Sequence, residues 1–217
     1  MELKVIKQNV MKVNEDISLQ TRQLLKERGC LMANLISSPG SGKTSLLEKI
    51  VPGLAKKGVK IGVIEGDCYT TRDAERIHKL NVPVVQINTE GDCHLESSTV
   101  NAIIAKDIPA DIRLLFVENV GNLVCPAVFD LGEDFKIAVL SVPEGSDKPV
   151  KYPMLFQGCG LVILNKTDLI KHTNFDKQEF YKYLKTVNPS CRVIETSCSS
   201  GEGIDEVIGF IFSRLKT

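Results

Sequence analysis

The stretch Ser37-Ser38-Pro39-Gly40-Ser41-Gly42-Lys43-Thr44 limits what this chain can fold into more than any other. The apolar run Leu31–Ile36 before it reads as a buried strand, and the segment from Thr44 to Ile50 after it as an amphipathic helix. Strand, glycine-rich turn and helix form the setting of a phosphate-binding P-loop. Glycines let backbone N–H groups turn inward around an anion, and the helix N-terminus adds partial positive charge. Lys43 can reach the β- and γ-phosphates, and the Thr44 hydroxyl can ligate Mg²⁺. The expected nucleotide contacts are Gly40, Ser41, Gly42, Lys43, Thr44 and Ser45. Ser37 stands where the usual pattern has its first glycine, while Gly40 and Gly42 keep the turn.

Downstream, apolar strands alternate with amphipathic helices, and several strands are apolar on both faces. That pattern predicts an α/β fold: a mostly parallel sheet in a three-layer αβα sandwich, with an N-terminal helix at about 10–28. Ligands of such sheets bind at the carboxyl ends of strands, where the P-loop, Asp67, Glu118 and Asn165 all fall. At 217 residues the chain reads as one domain, 1–217, able to bury roughly 70% of its unfolded surface. Its 27 basic and 27 acidic residues cancel, which gives no electrostatic reason to expect nucleic acid or an anionic membrane as partner. No apolar run approaches a membrane span, and residues 1–7 lack a signal-peptide core, so the expected location is cytoplasmic. Seven scattered cysteines then read as thiols, either buried or metal-ligating.

Asn165-Lys166-Thr167-Asp168 follows a second buried strand. A carboxylate at Asp168 can accept from both N1–H and the 2-amino group of guanine, whereas adenine would leave it unpaired. The expected nucleotide is therefore GTP or GDP, bound by Asn165, Lys166 and Asp168, with Ser197 and Cys198 supporting the base after the next strand. Glu118-Asn119-Val120-Gly121 stands where GTPases carry Asp-x-x-Gly. The acid can hold Mg²⁺ through water and the Gly121 N–H can meet the γ-phosphate. Asp67 is a further candidate for Mg²⁺ or for positioning water, with a helix N-cap as its alternative role. Lys43, Asp67, Glu118 and Gly121 are the expected catalytic residues, and Thr44, Asp67 and Glu118 the Mg²⁺ set.

Cys93, His94 and Cys125 supply the thiolate and imidazole donors that suit Zn²⁺ or Ni²⁺. Cys125 lies four residues after Gly121, on the loop expected to respond to the γ-phosphate. Three segments carry a family resemblance: Gly91–Glu96, Val117–Ala127 and Pro143–Pro153. The run Glu118-Asn119-Val120-Gly121-Asn122-Leu123-Val124-Cys125-Pro126 is its most specific part. The chain resembles the HypB family, the GTPases of nickel insertion into [NiFe] hydrogenase, from about residue 14 onward.

The resemblance implies a P-loop GTPase that dimerises when GTP is bound. It implies a Ni²⁺ or Zn²⁺ site at the dimer interface, matched here by Cys93, His94 and Cys125. It implies as partners the accessory protein HypA and the hydrogenase large subunit. Lys148, inside a family-like segment, is expected to reach nucleotide across the dimer. The Cys-x-x-Cys-Gly-Cys and histidine-rich stretches of some members do not occur, so high-affinity nickel storage is not expected. With no Gln or Arg finger evident, intrinsic hydrolysis should be slow. Alternatives are a urease-type metallochaperone, a nucleotide-dependent dimerisation module with a structural metal, and a small-molecule kinase.

Overall fold

The structure is a computed structural model and describes residues 10–215; the reading of residues 1–7 lies outside them. Helix α1 (Val10–Arg28) ends at Gly29, whose φ of 58° is left-handed. Then follow β1 (Leu31–Ser37), α2 (Lys43–Lys56), β2 (Ile61–Asp67), α3 (Arg72–His78), β3 (Val84–Asn88) and α4 (Ser97–Lys106). Next come β4 (Leu114–Glu118), α5 (Cys125–Val128), β5 (Phe135–Ser141), α6 (Lys148–Lys151), α7 (Pro153–Gly158) and β6 (Cys159–Asn165). The helices α8 (Lys177–Val187) and α9 (Ile204–Arg214) flank β7 (Arg192–Glu195). The expected αβα architecture holds, and the sheet goes further than "mostly" parallel: every pairing among its seven strands is parallel.

The strand order is β3-β2-β4-β1-β5-β6-β7. The chain moves to one side of β1 through β2 to β4, then to the other through β5 to β7. The order therefore reverses at β1, and the loop after β1 lies in the crevice that such a reversal opens. Strands β1, β2, β4, β5 and β6 are almost wholly buried, which follows from helices packing on both faces. On one face Leu46, Leu47, Ile50 and Leu54 of α2 pack with Ala33, Leu35 and Phe116. Another cluster joins Met32, Ile64 and Val117 to Ile104 and Leu25 beneath α1 and α4. Helix α1 is tied there by Arg28 Nη1 donating to the Ile104 carbonyl at 2.7 Å and by Asn101 Nδ2 donating to Thr21 Oγ1 at 2.9 Å.

Two differences from the sequence reading bear on the site. Asp67 and Asn165, expected just past their strands, are the last residues of β2 and β6, while Glu118 ends β4 as expected. Each pairs in register with a neighbouring strand, Asp67 with Asn88, Glu118 with Leu35 and Asn165 with Ser141, so backbone pairing holds all three. The short helices α5, α6 and α7 were not expected, because four to six residues carry too little periodicity to register.

Ile50 is fully buried between α2 and the sheet. Ile50→Ala should cost about 2–5 kcal/mol of stability, read as a lower urea midpoint with an unchanged m-value.

Candidate nucleotide and metal site

The P-loop is shaped by two left-handed glycines, Gly40 at φ 75° and Gly42 at φ 98°. A Cβ on Gly42 would stand 2.5 Å from Asn165 Nδ2, so this position needs glycine for both conformation and space. Asn165 earns that closeness: its Nδ2 donates to the Ser41 carbonyl at 2.9 Å. Lys166, itself at φ 61°, donates Nζ to the Gly40 carbonyl at 2.6 Å. Two residues expected at the base are thus welded to the phosphate loop. Lys43 Nζ donates to Ser37 Oγ at 3.0 Å, where the departure from the usual glycine supplies the partner.

The expected Mg²⁺ ligands meet directly, Thr44 Oγ1 donating to Glu118 Oε1 at 2.7 Å. Both residues are buried, and Glu118 Oε2 has no hydrogen-bond partner. Glu65, which the sequence reading treated as plain strand, belongs beside them. It pairs in register with Glu118 across β2 and β4, is 2% exposed, and also has an unpartnered Oε2. Its ligand atom lies within 4.8 Å of those of Asp67 and Asp73. Burial pushes Glu65 up to about 8, and Glu118, Asp67 and Asp73 add to the shift. Burial pushes Glu118 up to about 7, opposed by Lys43 and the Thr44 hydroxyl. Buried carboxylate oxygens without donors fit a hydrated divalent cation, which would satisfy them.

Asp67 Oδ1 accepts from the Tyr69 and Thr70 backbone N–H groups, both at 2.7 Å, and so shapes the turn into α3. It is not the N-cap, which is Thr71. Arg76 of α3 was also missed. It lines the same cavity, of about 560 Å³, but its guanidinium is held by Glu48, Asp73 and Ser45 at 2.7–3.0 Å. Glu144 was missed as well, although Ser141-Val142-Pro143-Glu144 has capping-box spacing. Its Oε1 accepts from the Ser41 hydroxyl at 2.7 Å, bracing the phosphate loop from β5.

A second cavity of about 470 Å³ adjoins the first and shares Gly42, Ser45 and Lys166 with it. It is lined further by Asn165, Asp168, Cys198 and Ser199. Thr196 Oγ1 and Cys198 Sγ donate to Asn165 Oδ1 at 3.1 and 3.4 Å. The Ser197 hydroxyl holds the Asp168 carboxyl below its usual range. Lys148 lines neither cavity; its ammonium lies 5.7 Å from the Tyr152 ring.

The loop after β4 runs from phosphate to thiol. A Cβ on Gly121 would meet the Pro39 backbone at 3.0 Å, so this glycine lets the loop lie directly on the P-loop. Four residues on, Cys125 Sγ stands 2.8 Å from Cys93 Sγ, and His94 Nδ1 is 3.8 Å from Cys93 Sγ. The three donor atoms lie within 4.8 Å of one another. Contact with Cys125 and burial push the Cys93 thiol up. His94 stacks on Phe129 at 3.9 Å, which fixes the ring plane. Two thiolates at ~2.3 Å from one tetrahedral ion stand about 3.8 Å apart, so gripping an ion needs the loops to open by about 1 Å.

Comparison with known proteins matches residues 31–195 to the CobW/HypB/UreG nucleotide-binding domain. The hydrogenase maturation factor HypB of Azotobacter vinelandii is 46% identical over 206 residues, which span 95% of this chain and 68% of that protein. The chain belongs to the HypB family. Two solved HypB structures superpose with TM-scores of 0.87 at 33% identity, each covering 94% of this chain. One is from Archaeoglobus fulgidus and is covered over 99% of its length; the other, from Helicobacter pylori in complex with nickel, over 95%. The resemblance read from the three motif segments is therefore borne out. The HypB-family span runs from β1 to β7, so Ser197 and Cys198 fall just past it. Among the described residues no helix is long and apolar enough to cross a membrane.

Gly42→Ala should abolish measurable guanine-nucleotide binding, while far-UV circular dichroism stays native. The two raised carboxyls set a pH dependence. Their folded pKa values lie above the unfolded value near 4.5, so the protonated forms favour the fold. That stability is complete below about pH 4.5 and drains as pH rises through 7–8. In nucleotide-free protein with chelator, Tm should fall between pH 5 and 8. Glu65→Gln should flatten the fall, by up to about 5 kcal/mol at the alkaline end.

Proposed function

We propose that this protein is a GTP-hydrolysing metallochaperone whose nucleotide state gates a Ni²⁺ or Zn²⁺ site, and that it assists nickel insertion into [NiFe] hydrogenase. The observation that carries this reading is the continuity of one short loop. Gly121 lies on Pro39 of the P-loop, and Cys125 of the same loop touches Cys93. A nickel complex of the Helicobacter pylori relative supports nickel as the cargo.

In this reading Lys43 and the P-loop amides of Gly40 to Ser45 hold the phosphates, and Asp67 orients the attacking water. The products are GDP and phosphate. Thr44, Glu118 and Asp67 would hold Mg²⁺, which supplies neutralisation of charge on the phosphate oxygens. Asp168 accepts from guanine, Lys166 and Asn165 fix the base cavity against the P-loop, and Ser197 and Cys198 support its wall. Turnover is slow, because the Arg76 donors are engaged with Glu48, Asp73 and Ser45. With the γ-phosphate present, the Gly121 N–H is drawn to it; after hydrolysis it is released, and Cys125 moves with it.

Three protein ligands leave a coordination place open, which suits a metal that must leave again. GTP favours a homodimer in which this site lies at the interface and Lys148 reaches the partner's nucleotide. HypA and the hydrogenase large subunit are the proposed partners, and the cytoplasm the proposed location.

Titrating Ni²⁺ or Zn²⁺ into GDP-bound and GTP-analogue-bound protein should give affinities differing by about 5- to 150-fold. Cys125→Ala should erase the difference. Identical affinities in the two nucleotide states of the unaltered protein would end the gating account.

A further inference from the structure

Beneath the loop that joins Gly121 to Cys125 lies a chain of buried polar side chains that no catalytic step uses. Asn119, 1% exposed, donates Nδ2 to Asn34 Oδ1 at 3.2 Å. Asn34, on β1 and fully buried, donates Nδ2 to Glu133 Oε1 at 3.4 Å. Lys136 of β5 approaches the same Glu133 oxygen at 3.5 Å and is the register partner of Asn34. Its Nζ then donates to the Ala127 carbonyl at 2.9 Å. The run starts two residues before Gly121 and finishes two residues after Cys125, crossing β1 and β5 on the way.

Both ends of segment 119–127 are thus pinned to one buried network. The Asn119 N–H also donates to Leu35 at 3.0 Å, and Glu133 Oε2 accepts from the Leu131 N–H at 2.7 Å. Between the pins the loop is stiffened internally. Asn122 Oδ1 accepts from the Val124 N–H at 2.8 Å, and the Ala127 N–H donates to Val124 at 3.2 Å. A stiff segment with anchored ends cannot absorb a shift at Gly121 by sliding at its roots, so the displacement reaches Cys125.

The energetics favour this use over a purely stabilising one. A buried Glu–Lys pair is commonly no better for stability than apolar residues of the same volume, and it leaves a costly orphan if one partner is lost. Its benefit is positional: a fully bonded polar network admits few alternative arrangements. We propose that Asn34, Glu133 and Lys136 are positioning residues that couple the nucleotide loop to the metal thiol. The inference rests on the gating reading above.

The test measures the ratio of Ni²⁺ dissociation constants in the GDP and GTP-analogue states, using the full chain with a competing chelator. Lys136→Met cuts the network at its metal end, and the near-isosteric Asn34→Leu cuts it between the strands. Each should bring the ratio to within about twofold of one, from the 5- to 150-fold range of typical coupling. GDP affinity should stay unchanged, and Lys136→Arg should restore most of the ratio. Should Lys136→Met not fold, Asn34→Leu reads the same quantity. Folded variants that keep the full ratio overturn the relay and leave gating intact. A ratio of one in the unaltered protein overturns gating itself, and the relay with it.

Discussion

The contact between Gly121 and Pro39 is the constraint on which the rest of this structure depends. Only a residue without Cβ lets the β4 loop rest on the P-loop backbone, since any side chain would meet Pro39 at 3.0 Å or less. That contact joins the P-loop to the segment that carries Cys125, so the phosphate turn and the thiol pair share one short stretch of chain. Without it, the P-loop and the paired thiols would be two separate features of the rim. The strand order supports the arrangement, because β4 and β5 flank β1 and bring their carboxyl ends to either side of the same turn.

Acidic side chains are buried beside the P-loop at some expense to the fold. Glu65 and Glu118 stand side by side on β2 and β4, buried, each with an oxygen that nothing in the chain satisfies. Glu144 adds a third such oxygen behind the P-loop. Unpaired buried carboxylates typically cost a protein a few kcal/mol, and they persist where a ligand completes them. Burial is also the main cause that raises the pKa values of Glu65 and Glu118. The rim is thus less favourable alone than with a ligand that satisfies those oxygens.

Much of this was legible in the chain. The P-loop, the Asn-Lys-x-Asp run and the alternation of apolar strands with helices each follow a local rule, and element ends fell within a few residues of expectation. The Cys93, His94 and Cys125 set drew its force from Cys125 standing four residues after Gly121, which is again a local spacing. What escaped was non-local. Glu65 looked like an ordinary strand residue, because only the pairing of β2 with β4 sets it against Glu118. Arg76 gave no signal, since its partners Glu48 and Ser45 lie on another helix. Glu144 did carry a capping-box spacing, but nothing in that spacing points to Ser41 across the sheet.

By itself, then, the order of residues determined the glycine turn between β1 and α2, the Asn-Lys-x-Asp run after β6 and the family to which the chain belongs. These depend on backbone conformation and on chemistry within a few consecutive positions. Tertiary structure alone decided that Asn165 and Lys166 brace the P-loop, that two glutamates share one burial site, and that Asn34, Glu133 and Lys136 join the ends of one loop from below. The physical reason is strand register: neighbours in a parallel sheet are set by pairings across dozens of residues, and no local pattern records which carboxylate will face which.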